Sequence, residues 1–271
     1  MKIGYCMNML GTPGDPIGIR RFDVVKAAGV EYLELSLRDV VALSADGFER
    51  LREYVDKAGI PCLACNNFFP ASVRLTGPAP TPPNELGEYV ESALDRAAAL
   101  GARTVVFGSA EARNVPDGFD RTRAFDQLVR FLRDVSRECD SRRITTVIEP
   151  LNRIESNIVN SVADGLALAA AVDRPSIRVL ADAYHVGVEK QTLPKPAACA
   201  GTIAHAHVAD VFLRGVPFDA DPGVSAFIRW LGSLGYDSDI SLEAYCPLPD
   251  AEATDRIRRG IAVLRTLIQG F

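Results

Sequence analysis

Side chains that can bind a metal ion lie at the ends of short apolar runs in the second half of the chain. Glu149 follows Val-Ile, Asp182 follows Leu-Ala and Glu243 follows Ser-Leu. His207 lies near the end of a further run. A carboxylate after an apolar run is costly to bury unless it is paired or bound to a cation. Two glutamates, one aspartate and one histidine form a mostly oxygen donor set, so we predict a site for Mn²⁺ or Mg²⁺, with Co²⁺ or Zn²⁺ also suitable.

Histidine is scarce, because the chain contains only three, all between positions 185 and 207. His205 and His207 are two residues apart, so both side chains lie on the same face of an extended strand. His207 is nearer the expected end of the strand and is the better ligand. His205 lies one layer deeper, and two roles are open for it: a hydrogen-bonded core residue or a support for the metal ligand.

Eight short apolar runs predict the strands that must position these residues. Each run is rich in valine, isoleucine, leucine, tyrosine or cysteine and is too short to be a helix. The predicted strands are Lys2–Cys6, Tyr32–Ser36, Cys62–Asn66, Thr104–Gly108, Thr145–Glu149, Arg178–Asp182, Ile203–Val208 and Ile240–Glu243.

Longer amphipathic segments between the runs predict helices. Apolar residues recur every three or four positions over residues 86–97, 125–139 and 257–268, which is the spacing of one helix face. Helix ends before the next strand are predicted at Gly29, Gly59 and Gly101. The sixth helix is the least regular, because Pro194 and Pro196 interrupt it.

Eight strand–helix units in a chain of this length fit a (β/α)₈ TIM barrel, formed by residues 1–271 as a single domain. An open, doubly wound sheet is the alternative, but it would want fewer strands or a second domain, and no linker is present. In a (β/α)₈ barrel the active site lies at the C-terminal ends of the strands, where the metal-binding side chains fall. One expectation is that the proline-rich segment Phe69–Pro83 folds over this mouth.

Composition excludes several classes of protein. The chain has 271 residues and a net charge of −5, and no apolar run approaches the roughly 18 residues that a membrane span needs. We expect no membrane partner and no nucleic-acid partner. The six cysteines, in a chain whose start lacks a signal-peptide pattern, indicate reduced thiols in the cytoplasm. Cys62 and Cys65 are three apart on a strand, so we expect their sulfurs to diverge and to form no zinc site.

The predicted strands 5 to 8 carry four motifs. They are Glu149-Pro-Leu-Asn-Arg153 followed by Glu155, Asp182-Ala-Tyr-His185, His205-Ala-His207-Val-Ala-Asp210 followed by Arg214, and Ser241-Leu-Glu243. These motifs resemble those of the xylose isomerase-like TIM-barrel superfamily, and most closely its ketose 3-epimerase and hydroxypyruvate isomerase branch. The loop after Arg214 departs from that pattern, and the first three strands carry no matching signature.

The resemblance implies roles by position. The implied ligands of one divalent metal are Glu149, Asp182, His207 and Glu243. Two of them, Glu149 and Glu243, are also the implied acid/base pair. The implied contacts to the hydroxyl and carbonyl oxygens of the substrate are Glu155, His185 and Arg214.

The chemistry that follows is a metal-dependent epimerase or isomerase acting on a small keto sugar or hydroxy-carbonyl compound. The metal acts as a Lewis acid that stabilises an enediolate. One carboxylate removes the carbon-bound proton, and a second carboxylate returns a proton on the opposite face. If the proton returns to the adjacent carbon instead, the enzyme is an aldose–ketose isomerase. The sequence leaves this choice open.

Three other functions are compatible with parts of the pattern. A dehydratase of a polyol ketone would use the same site, and a non-catalytic sugar-binding barrel would share the fold. An apurinic endonuclease with three zinc ions is disfavoured, because it needs more histidines than three and gains nothing from a charge of −5.

Several assignments stay open in the sequence. Glu34 and Asn66 lie near strand ends and either line the pocket or cap a loop. The phenylalanines expected at an exposed rim, where they would form a lid, a wall or a subunit contact, are Phe68, Phe69, Phe212 and Phe218. Assembly as a homodimer or a homotetramer is compatible with the sequence.

Overall fold

A closed barrel of eight parallel strands forms the centre of the structure, a computed structural model that describes residues 1–199, 201–218 and 221–270. The strands are β1 Ile3–Cys6, β2 Tyr32–Ser36, β3 Cys62–Asn66, β4 Thr104–Phe107, β5 Thr145–Ile148, β6 Ile177–Asp182, β7 Ile203–Val208 and β8 Ile240–Leu242. Each strand pairs with its neighbours in chain order, and β1 also pairs with β8. The predicted (β/α)₈ barrel is confirmed, with every strand end within one residue of its expected position.

Helices surround the barrel. Within the described residues they are α1 Phe22–Ala28, α2 Leu37–Val41, α3 Ala45–Ala58, α4 Pro83–Ala99, α5 Ala110–Arg113, α6 Arg121–Arg142, α7 Val162–Val172, α8 Ala183–Val188, α9 Pro196–Cys199, α10 Pro222–Ser233 and α11 Asp250–Ile268. Short 3₁₀ segments cover Met7–Leu10 and Ile19–Arg21. In the described part of the chain, no helix is both long and apolar enough to cross a membrane.

Local sequence explains where the helices begin and end. The side chains of Ser44 and Asp120 accept hydrogen bonds from the first turns of α3 and α6, which satisfies backbone donors that have no partner within the helix. Gly29 and Gly59 end α1 and α3 with φ angles of 89° and 66°, a left-handed conformation that glycine adopts without strain. The sixth predicted helix is interrupted as expected: α8 ends at Val188, and Pro196 begins the short α9 before β7.

A register shift interrupts the regular pairing of β2 with β3. Leu33 pairs with Cys62 but Glu34 pairs with Ala64, so β3 holds one extra residue at this point. Such a bulge changes the alternation of side chains along a strand. A hydrogen bond with Cys62, together with burial, raises the pKa of the Cys65 thiol well above its usual value. The Cys62 thiol donates to the carbonyl oxygen of Ala64 over 3.4 Å, and both thiols are free. The divergence of the two sulfurs stays a prediction.

An aromatic cluster anchors the segment after β3. Phe68 and Phe69 are buried, so their expected place on an exposed rim is wrong, whereas Phe212 is 86% exposed as predicted. The Phe69 ring lies 4.3 Å from Phe68 and 5.5 Å from Phe131 of α6, measured between ring centroids.

The rest of that segment runs along the outside of the barrel. Leu75 donates a backbone hydrogen bond to Ala112, and Gly77 exchanges two hydrogen bonds with Gln127 of α6. Leu75, Pro80, Thr81 and Pro83 line a groove with residues of α4 and α6, and the folding of Phe69–Pro83 over the mouth stays a prediction.

Replacing Phe69 tests the aromatic cluster. Phe69→Ala should lower the free energy of unfolding by about 3–5 kcal/mol, because it opens a cavity among buried rings. Phe212→Ala is the matched control, and its effect should stay within about 0.5 kcal/mol, since that ring is exposed. Urea denaturation measures both, and equal losses would contradict the assigned packing.

Candidate active site

Four buried polar side chains meet at the mouth of the barrel. Glu149, Asp182, His185 and Glu243 each offer a ligand atom, and these atoms all lie within 4.8 Å of one another. Asp182 ends β6, whereas Glu149 and Glu243 come one residue after β5 and β8. Three of the four predicted metal ligands are thus brought together, and His185 joins them in place of the predicted His207.

His207 lies directly against this group. Its Nδ1 atom is 3.1 Å from Glu149 Oε1 and 3.5 Å from Glu243 Oε2, and its Nε2 atom is 2.8 Å from Glu34 Oε1. The strand register explains this position, since His207 pairs with Asp182 on one side and Ser241 on the other. Burial lowers the pKa of His207, but the neighbouring Glu34, Cys6 and Glu243 together outweigh burial and raise this pKa well above its usual value.

His185 is held in one tautomer. The backbone N–H of Asn152 donates to His185 Nδ1 over 3.2 Å, so this nitrogen carries a lone pair. Burial and the positive charge of Arg214 lower the pKa of His185 to about 3, which keeps the ring neutral near pH 7. The proton of a neutral ring then lies on Nε2, which becomes a donor.

Two polar atoms at the centre of the group have no hydrogen-bond partner. Asp182 Oδ2 and His185 Nε2 are buried and unpaired, and they lie 3.6 Å apart. Buried polar atoms are nearly always paired in folded proteins. An unpaired carboxylate oxygen beside an unpaired N–H indicates that both atoms face something that binds here.

The pKa values of the three carboxyl groups are shifted in different directions. Burial and the negative charge of Glu243 raise the pKa of Asp182 to about 8 and also raise the pKa of Glu149. Burial acts on Glu243 in the same direction, but the positive charges of Arg214 and His207 outweigh it and hold the pKa of Glu243 well below its usual value. A further cation among these carboxylates would relieve the repulsion.

Arg214 and Glu155 form the rim above the carboxylates. Arg214 donates to Glu243 Oε2 over 2.6 Å and to Glu155 Oε1 over 3.2 Å. Its guanidinium lies 4.7 Å from the centroid of the Tyr184 ring. Asn152 Nδ2 donates to Glu155 Oε1 over 2.9 Å. The three residues predicted as substrate contacts therefore all border the same site.

A cavity of about 350 Å³ adjoins this rim. Its wall includes Glu155 and Leu151 from the loop after β5, Arg38 from α2 and Asn67 from the loop after β3. The first half of the barrel thus contributes side chains beside the site, although its strands carry no motif.

Two buried residues were missed or left open by sequence reasoning. Arg113 was not singled out, yet its guanidinium donates to the carbonyl oxygens of Phe107 and Glu149 over 2.8 and 2.6 Å. A lone arginine in a four-residue helix gives no periodic signal. Glu34, left open as a pocket or cap residue, is wholly buried inside the barrel and bonds to both His205 and His207. The deeper histidine is therefore a hydrogen-bonded partner of that carboxylate.

The chain matches the family model described as "Xylose isomerase-like TIM barrel" over residues 22–267 and belongs to this family. It is 26% identical to a ketose 3-epimerase of Arthrobacter globiformis over 103 residues, which is 38% of this chain and 35% of that protein. It is 24% identical to the 3-dehydro-D-guloside 4-epimerase of Escherichia coli (strain K12) over 212 residues, which is 71% of this chain and 74% of that protein. The alignment with the first relative spans about a third of its length.

Solved structures extend the similarity in fold to the whole chain. The structure of D-psicose 3-epimerase with D-tagatose from Clostridium cellulolyticum H10 superimposes with a TM-score of 0.84. The two chains are 15% identical, and the superposition covers 99% of each. At this identity the likeness establishes the fold and leaves the activity to the site.

Gly108 provides a test of how Glu149 is placed. A Cβ atom on Gly108 would lie 1.8 Å from Glu149 Oε2, so Gly108→Ala must displace the carboxylate and should cost about 1–3 kcal/mol through overpacking. Gly87→Ala in α4 is the matched control, because a Cβ there meets nothing within 4 Å. That change should instead add about 0.5–1 kcal/mol. Urea denaturation measures the free energy of unfolding of both variants. Stabilisation of both would contradict the position of Glu149 beside Gly108.

Proposed function

We propose that this chain is a divalent-metal-dependent epimerase or isomerase of a small keto sugar. The observation that carries the proposal is the buried group of Glu149, Asp182 and Glu243 at the mouth, with His207 against it. Such a concentration of buried carboxylates at the C-terminal ends of barrel strands is costly for stability and belongs to a reactive site. The names of the relatives, ketose 3-epimerase and 3-dehydro-D-guloside 4-epimerase, support a sugar substrate.

The proposed metal ligands are Glu149, Asp182, His207 and Glu243. Asp182 Oδ2 fits this role because it is buried without a partner. His185 does not, because its Nε2 carries the proton and acts as a donor. His207 faces the carboxylates with Nδ1, which becomes a ligand once it has no proton. Three carboxylates and one imidazole suit Mn²⁺ or Mg²⁺, with Co²⁺ or Zn²⁺ as weaker candidates.

A bound divalent ion supplies a Lewis acid for the carbonyl and hydroxyl oxygens of the sugar. The chain's own residues move the protons. Glu149 and Glu243 are the proposed pair: one carboxylate takes the proton from the carbon beside the carbonyl, and the other returns a proton to the opposite face. Their pKa values are shifted in opposite directions, which favours one acid and one base in the same site.

Three further residues are proposed to hold the substrate. His185 Nε2 points into the group as an unpaired donor and suits a hydroxyl or carbonyl oxygen. Arg214 and Glu155 border the mouth and suit hydroxyl groups. The single-domain organisation of residues 1–271, a cytoplasmic location and assembly as a homodimer or homotetramer stay predictions.

Amide variants test the acid/base pair. Glu149→Gln and Glu243→Gln should each lower turnover by about 10²- to 10⁴-fold, because an amide cannot transfer the proton. The assay is incorporation of solvent deuterium into keto sugars with Mn²⁺, which also identifies the carbon that exchanges. Glu53→Gln on the exposed face of α3 is the matched control and should turn over normally.

The same assay separates the reactions. Deuterium at an inverted carbon indicates an epimerase, and deuterium at the neighbouring carbon indicates an aldose–ketose isomerase. Loss of water would replace the proposal with a dehydratase. Wild-type turnover in both amide variants would refute the proposed acid/base pair.

Metal binding has a readout that needs no substrate. At a Mn²⁺ concentration 100 times the Kd, the protein should gain about 2.7 kcal/mol of stability, since the ion binds only the folded state. Asp182→Asn should remove this gain, whereas Asp126→Asn on the exposed side of α6 should keep it. Thermal unfolding with and without Mn²⁺ measures the effect. An equal gain in both variants would argue against Asp182 as a ligand.

A further inference from the structure

Glu34 is a carboxylate inside the barrel that the proposed reaction does not use. It lies on β2 with none of its surface exposed. Its Oε1 atom is 2.8 Å from His207 Nε2, and its Oε2 atom is 2.9 Å from His205 Nε2. Ser241 donates to Oε2 over 2.5 Å, and Tyr32 lies 2.7 Å from Ser241 Oγ.

Both carboxylate oxygens of Glu34 accept hydrogen bonds, from His207 on one oxygen and from His205 and Ser241 on the other. An ionised carboxylate can only accept hydrogen bonds, so each histidine must direct an N–H toward it. A buried carboxylate is tolerated when its oxygens are satisfied in this way. An apolar side chain would fill the same space without needing three polar partners, which indicates that the charge has a use.

We propose that Glu34 is the positioning residue for His207. Its Oε1 atom keeps the proton of the ring on Nε2 and thereby leaves the lone pair on Nδ1, the atom that faces Glu149 and Glu243. The two ring nitrogens face different groups: Nε2 lies 2.8 Å from Glu34 Oε1, and Nδ1 lies 3.1 Å from Glu149 Oε1, on the side of the proposed metal ligands. His205 and Ser241 hold the other oxygen and fix the plane of the carboxylate. This inference rests on the proposed metal site.

A second ion bound by Glu34, His205 and His207 is the main competing explanation. The three residues are close enough to share one. Each histidine nitrogen already bonds to its own oxygen of Glu34, at 2.8 and 2.9 Å, and Ser241 donates to the second oxygen, so hydrogen bonds satisfy these atoms without an ion. The geometry therefore favours Glu34 as the residue that orients His207, and not as a metal ligand itself.

Glu34→Gln tests the inference while keeping the shape of the side chain. The amide keeps one acceptor oxygen for His207, His205 and Ser241 and places its NH₂ group against another donor, so the network that orients the His207 ring is weakened. The Kd for Mn²⁺, measured from the free-ion EPR signal, should rise by about 10- to 100-fold, the usual effect of removing a partner of a metal-bound histidine. Tyr32→Phe is the matched control: it removes a hydroxyl from the same network without touching His207, and the Kd should change less than about 3-fold.

A measurement on the unchanged protein covers the case in which Glu34→Gln does not fold. In the Mg²⁺-loaded protein, long-range ¹H–¹⁵N spectra should show His207 protonated at Nε2 and unprotonated at Nδ1. The reverse tautomer would overturn the inference. An unchanged Kd in folded Glu34→Gln would overturn it as well, as would two Mn²⁺ ions per wild-type chain and one in the variant.

The outcomes separate this inference from the proposed function. If the wild type binds Mn²⁺ and exchanges no sugar proton, but Glu34→Gln binds Mn²⁺ more weakly, the inference holds and the proposed reaction fails. If sugar exchange occurs and the Kd is the same in both proteins, the reaction holds and the inference fails. Recovery of kcat in the variant at saturating Mn²⁺, with KM for the sugar unchanged, is the further expected result.

Discussion

Electrostatic repulsion among Glu149, Asp182 and Glu243 is the constraint around which the site is built. Their ligand atoms lie within 4.8 Å of one another in a buried space, where like charges interact strongly. Positive charge is therefore supplied from several directions. Arg214 covers the group from the rim, and Arg113 approaches from behind through the carbonyl oxygen of Glu149. The arrangement resembles a cation site more than a set of independent surface acids.

The barrel makes this concentration of charge possible because backbone hydrogen bonds fix the positions of the strand ends. Glu149 and Glu243 come just after their strands, yet their N–H groups still bond to Phe107 and Val208 of the neighbouring strands, at 3.2 and 3.1 Å. The carboxylates are thus attached to a hydrogen-bonded ladder and cannot easily move apart. Gly108 completes the arrangement by leaving room for Glu149, since a side chain at that position would overlap the carboxylate.

Sequence reasoning reached the barrel and most of the site for identifiable reasons. Short apolar runs and amphipathic segments recur regularly along the chain, and they predict the strands and helices. Because the strand ends of a barrel converge, this pattern alone was enough to place Asp182 and Glu243 together. The bulge between Cys62 and Ala64 depends on pairing between strands and has no local signal. The tautomer of His185 depends on a backbone N–H more than thirty positions away. The partner of His205 lies on a distant strand, which no spacing within β7 could reveal.

The pairing of Arg214 with Glu155 has a consequence for selectivity. The two Nη atoms of Arg214 bond to Glu155 and Glu243, so a molecule that lacks a hydroxyl at that end still leaves these atoms paired. His185 Nε2 and Asp182 Oδ2 have no such mutual bond, and a molecule that fails to engage them leaves buried polar atoms unpaired, which is where strong discrimination arises. If the proposed function holds, His185 and Asp182 would select strictly at the depth of the site, whereas the rim would tolerate differences among sugars that share one reactive centre.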